Sequence, residues 1–189
     1  MIKVGGLGVL IGISSLLIGG CASQQVIDAG RINLAQKTLK AENNVSIHCS
    51  GAMKCEFERL NNQTIVDASS HRVDRKAIER GWVRLKNNSF KDNGLYLNVP
   101  PSQYEVIVRY YPISEQRAEM FHIIHNFKAH QNYTLKMYRK RFTTPGSLLN
   151  VSAPTPLCVD LLLEQRPIRR FCRPYNVLTG VSEFIEQRI

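Results

Sequence analysis

The sequence predicts a mainly β protein, a small antiparallel β-sandwich with one short helix, preceded by an apolar leader and a flexible tether. Three observations lead to this prediction. From Val45 onward, apolar and polar residues alternate with a period of two, as they do in strands with one buried face. Turn-forming residues separate these short stretches, and four cysteines lie among them. Strands at this spacing are typical of a sandwich.

The alternating stretches place the strands in chain order. The first two are Val45 to Cys49 and Cys55 to Arg59, which we expect to form a hairpin around Ser50 and Gly51. The later predicted strands are Trp82 to Leu85, Leu95 to Val99, Tyr104 to Tyr111, Met120 to His130, Tyr133 to Arg139 and Leu157 to Glu164.

Residues 70–81 are the best helical candidate, with Ser70 as a possible cap and Gly81 as the stop. The segment carries four basic residues, namely Arg72, Arg75, Lys76 and Arg80. One interpretation is a surface helix that binds anionic lipid or glycan. The other is a solvated face with Val73, Ala77 and Ile78 packed inward, and the lack of a broad apolar face favours it.

The leader has the order of a secretory signal. An apolar stretch follows Lys3 and ends in Ile18-Gly19-Gly20-Cys21. These four residues resemble the lipobox of bacterial prolipoproteins. The resemblance implies that Cys21 carries diacylglycerol, that residues 1–20 are removed, and that acyl chains on Cys21 hold the protein in a membrane. Two or three chains anchor firmly, because each buried methylene contributes about 0.8 kcal/mol.

An uncleaved anchor helix is the alternative for this segment. The run is shorter than the roughly 20 apolar residues that span a bilayer and is rich in glycine, so cleavage fits better. Ala22 and Ser23 follow the cysteine where some lipoproteins carry a retaining aspartate, which by resemblance implies the outer membrane, facing the periplasm. The predicted organisation is a signal peptide over 1–20, an acylated cysteine and tether over 21–44, and a sandwich domain over 45–189. The apolar residues of the tether are spaced for a weak amphipathic helix over part of it, and disorder is the alternative; these residues are Val26, Ile27, Ile32, Leu34 and Leu39.

Four cysteines remain besides Cys21, an even number for a compartment in which disulfides persist. Four cysteines can pair in three ways, and the sequence favours the one with two local bonds, Cys49 with Cys55 and Cys158 with Cys172. A zinc site is the alternative. Neither pair has the two-to-four-residue spacing that tetrahedral zinc usually takes, so we predict no metal and no cofactor.

The balance of charge favours anionic partners. The 189-residue chain has 25 basic and 15 acidic residues, a formal charge of +10. Phospholipid head groups, lipopolysaccharide phosphates, acidic glycans and acidic protein surfaces all fit such a balance. Nucleic acid is not expected, because the implied compartment excludes it and the chain has no ribonucleoprotein motif or zinc-finger spacing.

A second resemblance covers residues 95–138. It rests on Leu95-Tyr-Leu-Asn-Val-Pro-Pro-Ser-Gln-Tyr-Glu-Val-Ile-Val-Arg-Tyr-Tyr111 and on Phe127-Lys-Ala-His-Gln-Asn-Tyr-Thr-Leu135. Both resemble the paired strands of small periplasmic PEGA-like and prealbumin-like domains in lipoproteins. The turn at Ser102 and Gln103 departs from the pattern of those families. The resemblance implies a sandwich with a noncatalytic scaffold role and transfers no functional residue.

The motifs of common enzymes are missing from the sequence. It has no Gly-x-Ser-x-Gly, His-Glu-x-x-His or Ser-x-x-Lys. His122, His125 and His130 are close in sequence, but alternation along one strand sends His125 to the opposite face, where we expect it to be packed or hydrogen-bonded. We therefore predict no catalytic residue. A hydrolase stays open as an alternative because its carboxylates can lie far apart in sequence.

The strongest predicted binding feature is a basic cluster near the carboxyl terminus. Aromatic residues lie among its members, so they could stack on a sugar or on arginine itself. The other interpretation is a set of exposed residues that keep the sheet edges soluble. The cluster comprises Lys136, Arg139, Lys140, Arg141, Arg166, Arg169, Arg170 and Arg173.

The sequence therefore predicts a lipid-anchored, noncatalytic envelope protein that binds or scaffolds another envelope component. An accessory subunit of a secretion, pilus or outer-membrane assembly fits this prediction, with a protein partner and an anionic lipid or glycan as further partners. The alternatives are an envelope hydrolase acting on glycan or peptide, and a peptidoglycan- or lipopolysaccharide-binding protein.

Overall fold

Alternating burial along the chain produces two β-sheets that pack face to face. The computed structural model describes residues 20–39, 43–140, 155–173 and 183–189, with side chains from residue 25 onward. Most of the described residues from 45 onward that lie in regular structure are strands. The prediction of a mainly β sandwich is confirmed.

The larger sheet has seven strands in the order β11-β10-β9-β8-β1-β5-β4. The central pair, β1 with β8, is parallel, and all other neighbours are antiparallel. The strands are β1 (Val45–Ser50), β4 (Val83–Leu85), β5 (Leu95–Val99), β8 (Asn132–Arg139), β9 (Leu157–Leu163), β10 (Arg166–Arg173) and β11 (Ile185–Gln187).

The smaller sheet has four antiparallel strands in the order β3-β2-β6-β7. They are β2 (Lys54–Leu60), β3 (Gln63–Thr64), β6 (Ser102–Tyr111) and β7 (Glu119–Phe127). The inward-facing residues of both sheets form the core, in which Phe57, Tyr110, Phe121 and Leu135 are fully buried. The Tyr110 hydroxyl donates to the Leu135 carbonyl at 2.8 Å, so the one polar group of that ring is satisfied within the core.

The predicted hairpin between the first two strands is wrong. Strand β1 pairs with β5 and β8, whereas β2 pairs with β3 and β6 in the other sheet. The chain crosses between sheets at Gly51, whose φ of +89° and close approach to the Met137 carbonyl leave no room for a Cβ atom. Alternation cannot distinguish a hairpin from this crossing, because both place the apolar residues toward one core.

The predicted helix is shorter than residues 70–81. Helix α2 covers Arg75–Glu79 and is capped by Asp74, whose carboxylate accepts from the Ala77 amide at 3.1 Å. Ser70 is not the cap, because its amide and hydroxyl both donate to Asp67. The predicted inward packing is confirmed, since Val73, Ala77 and Ile78 are buried.

Residues 22–44 are predicted as a flexible tether, but helix α1 (Gly20–Thr38) covers most of them and packs on β4 and α2. Ile32 is fully buried. The Asp28 carboxylate, also buried, accepts from the Val73 amide at 3.3 Å and contacts Arg72. These contacts correct the prediction of a flexible tether, and the weakly amphipathic helix that the sequence leaves open for this segment is present and docked.

Three further strands, β3, β10 and β11, lie where the sequence pattern predicts none. The predicted strand from Met120 to His130 ends at Phe127, and His130 lies in the following turn with a φ of 58°. No helix in the described ranges is long and apolar enough to cross a bilayer.

Candidate functional site

Both predicted disulfides are present. Cys49–Cys55 joins the two sheets at the point where the chain crosses between them, and Cys158–Cys172 joins directly opposed residues of β9 and β10. All four cysteines are buried. Their thiols are consumed in these bonds, so none of them is a metal ligand or a nucleophile in this state.

Three arginines of the predicted basic cluster bond to carboxylates of the same chain. Arg169 makes two bonds of 2.7 Å to Glu186, and Arg170 makes two of 2.8 Å to Asp160. Arg173 bonds to Glu119 at 2.7 Å. Neighbouring residues of a strand point to opposite faces, so Arg169 and Arg170 lie on different sides of the sheet.

The other members of the cluster are more open to solvent. Lys136, Lys140 and Arg166 are exposed, and Arg139 contacts the Thr155 carbonyl at 3.4 Å. Arg141 lies outside the described residues, as does the apolar part of the lipobox. Cys21 lies in α1, but the description of that helix near its start is limited to its backbone.

The predicted stacking of aromatic rings on arginine is confirmed for two pairs. Arg169 lies over the Phe171 ring at 4.8 Å, and Arg170 lies over Tyr138 at 5.8 Å. Tyr138 also donates to Asp160 at 3.1 Å. These arginines therefore hold the sheet together through both charge and stacking.

The three neighbouring histidines do not converge. His122 is exposed and pairs with Glu105, and His130 lies in a turn. His125 is half-buried against Phe127 and Tyr133, and this burial lowers its pKa. Across the described ranges, no group of three His, Cys, Asp or Glu side chains is placed to hold a metal.

The side chains that do converge surround Glu56, on the outward face of the smaller sheet. Glu56 lies opposite Arg109, and Lys54 lies opposite Tyr111, so the pairing of β2 with β6 places all four side chains on one face. His71 approaches from the segment after β3 with a φ of 55°, uncommon for a residue other than glycine. We refer to these five residues as the Glu56 cluster.

Four groups contact the Glu56 carboxylate. Its Oε1 lies 2.9 Å from Lys54 Nζ. Its Oε2 lies 3.0 Å from His71 Nδ1, 3.1 Å from the Tyr111 hydroxyl and 3.2 Å from Arg109 Nη2. Glu56 and Arg109 are 6% and 4% exposed, so this charge pair is almost fully removed from water.

The charge of Glu56 determines which ring nitrogen of His71 carries a proton toward it. Burial alone would raise the pKa of Glu56, but hydrogen bonds from Lys54 and His71 outweigh it and lower that pKa. Glu56 is therefore ionised at neutral pH and can only accept hydrogen bonds. Nδ1 of His71 must therefore donate its proton toward Glu56, and Nε2 is the ring nitrogen that Glu56 does not contact. Burial and the Glu56 charge raise the pKa of Tyr111 to about 12, so its hydroxyl stays protonated.

Arg109 also fixes the segment that carries His71. Its Nη2 donates to the carbonyls of Val66 at 3.2 Å and Asp67 at 3.3 Å. Val66 forms a bridge with Val73, on the other side of His71. The position of His71 is thus determined by a buried arginine and by the Glu56 carboxylate together.

A cleft of about 650 Å³ opens beside the Glu56 cluster, between the start of α1, the start of β2 and the loop before β5. This volume lies within the usual range for small-ligand sites. The lining combines apolar side chains with a few polar groups of the cluster. It includes Val26, Ala29, Met53, Lys54, Glu56, His71, Ser89, Phe90, Lys91 and Glu115.

Sequence reasoning did not find this site, because His71 has no partner motif nearby. Glu56 is 15 residues before His71, and Arg109 lies on another strand. The available signal was indirect: Lys54 and Glu56 occupy outward-facing positions, as do Arg109 and Tyr111. A pattern of period two cannot show which outward-facing residues become covered.

Comparisons with protein families, with curated proteins and with solved structures found no significant match to this chain.

Proposed function

We propose that this protein is a lipid-anchored, noncatalytic envelope protein that binds another envelope component in the cleft beside the Glu56 cluster. Cys21 provides the anchor, and the outer membrane facing the periplasm is the location. The lipobox-like sequence supports the anchor. The two buried disulfides fit an oxidising compartment such as the periplasm.

The cleft is the observation that carries the binding role. Its apolar lining offers contact area, and His71 offers a polar ring edge that a buried network holds in place. A site whose polar group is fixed in advance loses little conformational entropy when it binds. The basic cluster fits this role less well, because Arg169, Arg170 and Arg173 each bond to a carboxylate of the same chain.

A hydrolase is the second candidate, and one observation favours it. A carboxylate bonded to Nδ1 of a histidine leaves Nε2 free to take a proton, as in a general base. Binding ranks first because, in the described parts of the chain, no Ser, Thr or Cys side chain bonds to His71 as a nucleophile would.

Site-specific crosslinking in intact cells tests the binding role. A photoreactive side chain at Lys91, on the rim of the cleft, should capture one component reproducibly. The matched position is Lys136, an exposed lysine of the predicted basic cluster. Capture from Lys91 should be lost in His71→Ala and retained in His122→Ala, since His122 pairs with a glutamate outside the cleft. Capture from Lys136 alone would reject the cleft in favour of the basic cluster.

The captured material distinguishes the candidates. A protein supports an assembly subunit, and peptidoglycan or lipopolysaccharide supports the glycan-binding alternative. Release of soluble fragments from peptidoglycan, abolished by His71→Ala and unchanged by His122→Ala, would replace the binding role with the hydrolase.

A further inference from the structure

Large apolar side chains are exposed at the end of the sandwich where α1 begins. Val26 and Ile27 on α1 are 70% and 48% exposed, Met53 is 71% exposed and Ile113 is 69% exposed. They come from three separate segments: the helix, the connection from β1 to β2 and the connection from β6 to β7. We call this surface the anchor end.

The three segments lie together in the fold. Val26, Met53 and Glu115 line the same cleft, and Glu115 is two residues from Ile113. Tyr111, at the end of β6, lies opposite Lys54, which follows Met53 directly. The four apolar residues therefore occupy one end of the molecule.

The attachment point proposed for lipid lies at the same end. Cys21 and Val26 are both in α1, and five residues of helix span about 7.5 Å. Apolar faces at a bilayer surface lie about 5–10 Å into the boundary between head groups and acyl chains. Acyl chains on Cys21 would hold Val26 and Ile27 close enough to the bilayer to reach that boundary.

The domain cannot swing away from this position while α1 stays docked. Asp28 and Ile32 are buried against the sandwich, seven and eleven residues after Cys21 by their numbering. Gln36 contacts both backbone groups of Leu85 on the edge strand β4, at 3.4 and 3.5 Å. The docked helix α1 therefore holds Cys21 in a defined position relative to the sandwich, where the sequence predicts a flexible tether.

We propose that the anchor end lies on the bilayer surface, with Val26, Ile27, Met53 and Ile113 among the lipid head groups. The inference rests on the proposed lipid at Cys21. Charges near this end are mixed, with Lys91 beside Asp92 and Arg117 near Glu115, which suits zwitterionic head groups. The cleft that Val26 and Met53 line then opens at the membrane surface.

Quenching of tryptophan fluorescence by brominated lipid tests this orientation. Trp82 is the only tryptophan, so single-tryptophan proteins are made by adding Trp82→Phe to Met53→Trp, to Ile113→Trp or to Ile124→Trp. Ile124 is the control. It is 54% exposed and lies opposite Glu105, about 20 Å along β6 from Tyr111.

The full lipidated protein is reconstituted into phosphatidylcholine vesicles, and intact disulfides confirm folding of each variant. Tryptophans at 53 and 113 should each lose markedly more fluorescence to bromines near the head groups than the control at 124 does. Vesicles that carry the protein but quench all three positions equally would overturn the orientation and leave the lipid anchor standing. Protein that does not float with vesicles at all would overturn both.

Discussion

At the scale of single residues, Glu56 shows how a folded chain gives a carboxylate its role. On its strand it is an outward-facing acidic residue, a type that is usually solvated. In the fold it is 6% exposed and contacts four donors. Burial of a charge is tolerated only when such partners replace water, so the cluster is stable as a unit and not as separate pairs.

Glu56→Gln should destabilise the protein by about 3 kcal/mol, because it leaves the buried Arg109 without its closest carboxylate. Glu58, 3.5 Å from Arg109, holds the loss to the low end of the usual range. Urea unfolding with disulfides intact measures the effect. Glu79→Gln is the control and should change stability by less than about 1 kcal/mol, since Glu79 pairs with Arg75 at the surface.

The parent protein and Glu56→Gln should also differ in how their stability depends on pH. A lowered pKa in the folded state stabilises the protein above the ordinary glutamate pKa, and this contribution is lost as the pH falls through the folded-state value. The stability gap between the parent and Glu56→Gln should therefore be constant near neutrality and shrink in acid, below about pH 4. A gap that grows in acid would show that Glu56 is neutral in the folded protein.

At the scale of elements, α1 shows how few contacts dock a helix. Its sequence is only weakly amphipathic, yet Ile32 is fully buried and Asp28 caps a backbone amide of another segment. Gln36 covers part of the edge strand β4, which would otherwise present unpaired backbone groups. The docking is specific because the buried Asp28 carboxylate needs hydrogen bonds in place of water, and the Val73 amide and Arg72 supply them in the docked position.

Ile32→Ala should release α1 while the two sheets remain folded. Truncation of a fully buried isoleucine costs about 2–5 kcal/mol. A helix that is docked by few contacts should detach when it loses this much stabilisation. Hydrogen exchange should then accelerate across α1 and at Leu85, with β6 and β9 unchanged. Leu34→Ala on the same helix is the control, because Leu34 is 66% exposed. Equal exchange in both variants would place the docking energy elsewhere.

Strand β10 shows that basic residues in a sequence are not the same as a basic surface. Arg170→Ala should destabilise the protein by about 1.5–3 kcal/mol, the usual contribution of hydrogen bonds to a charged group, because the buried Asp160 loses both bonds from Arg170 and keeps the one from Tyr138. Arg166→Ala should be nearly neutral, since Arg166 is exposed. Thermal unfolding compares them. Matching melting temperatures would mean that the Arg170–Asp160 pair contributes nothing.

At the scale of the whole molecule, lipid attachment and the docked helix together would determine how the protein meets its membrane. On the proposed lipid anchor, Cys21→Ala should accumulate as an uncleaved precursor or fail to fractionate with the outer membrane, because position 21 then has no thiol to receive diacylglycerol. Immunoblotting of separated membranes measures both outcomes. Ser23→Ala is the control and should mature like the parent. A Cys21→Ala protein that matures and fractionates normally would reject the lipobox interpretation.

The sequence alone predicted the positions of eight strands, β1, β2 and β4 to β9, and favoured the disulfide pairing found in the structure. Alternation over Val45 to Cys49 or Leu95 to Val99 is local, and so is the pairing of Cys158 with Cys172. A pattern of period two records which residues face a core, so these predictions needed no knowledge of the partner strands.

Only the tertiary structure decided which strands pair and which charges meet. The crossing at Gly51 depends on the Met137 carbonyl, Glu56 depends on Arg109 and His71, and Arg170 depends on Asp160. The members of each set are separated along the chain and come together only when the sheets form. The alternating pattern of apolar and polar residues is the same whether a charged residue is solvated or buried and paired. The packing of the two sheets therefore determines which of these charges are buried.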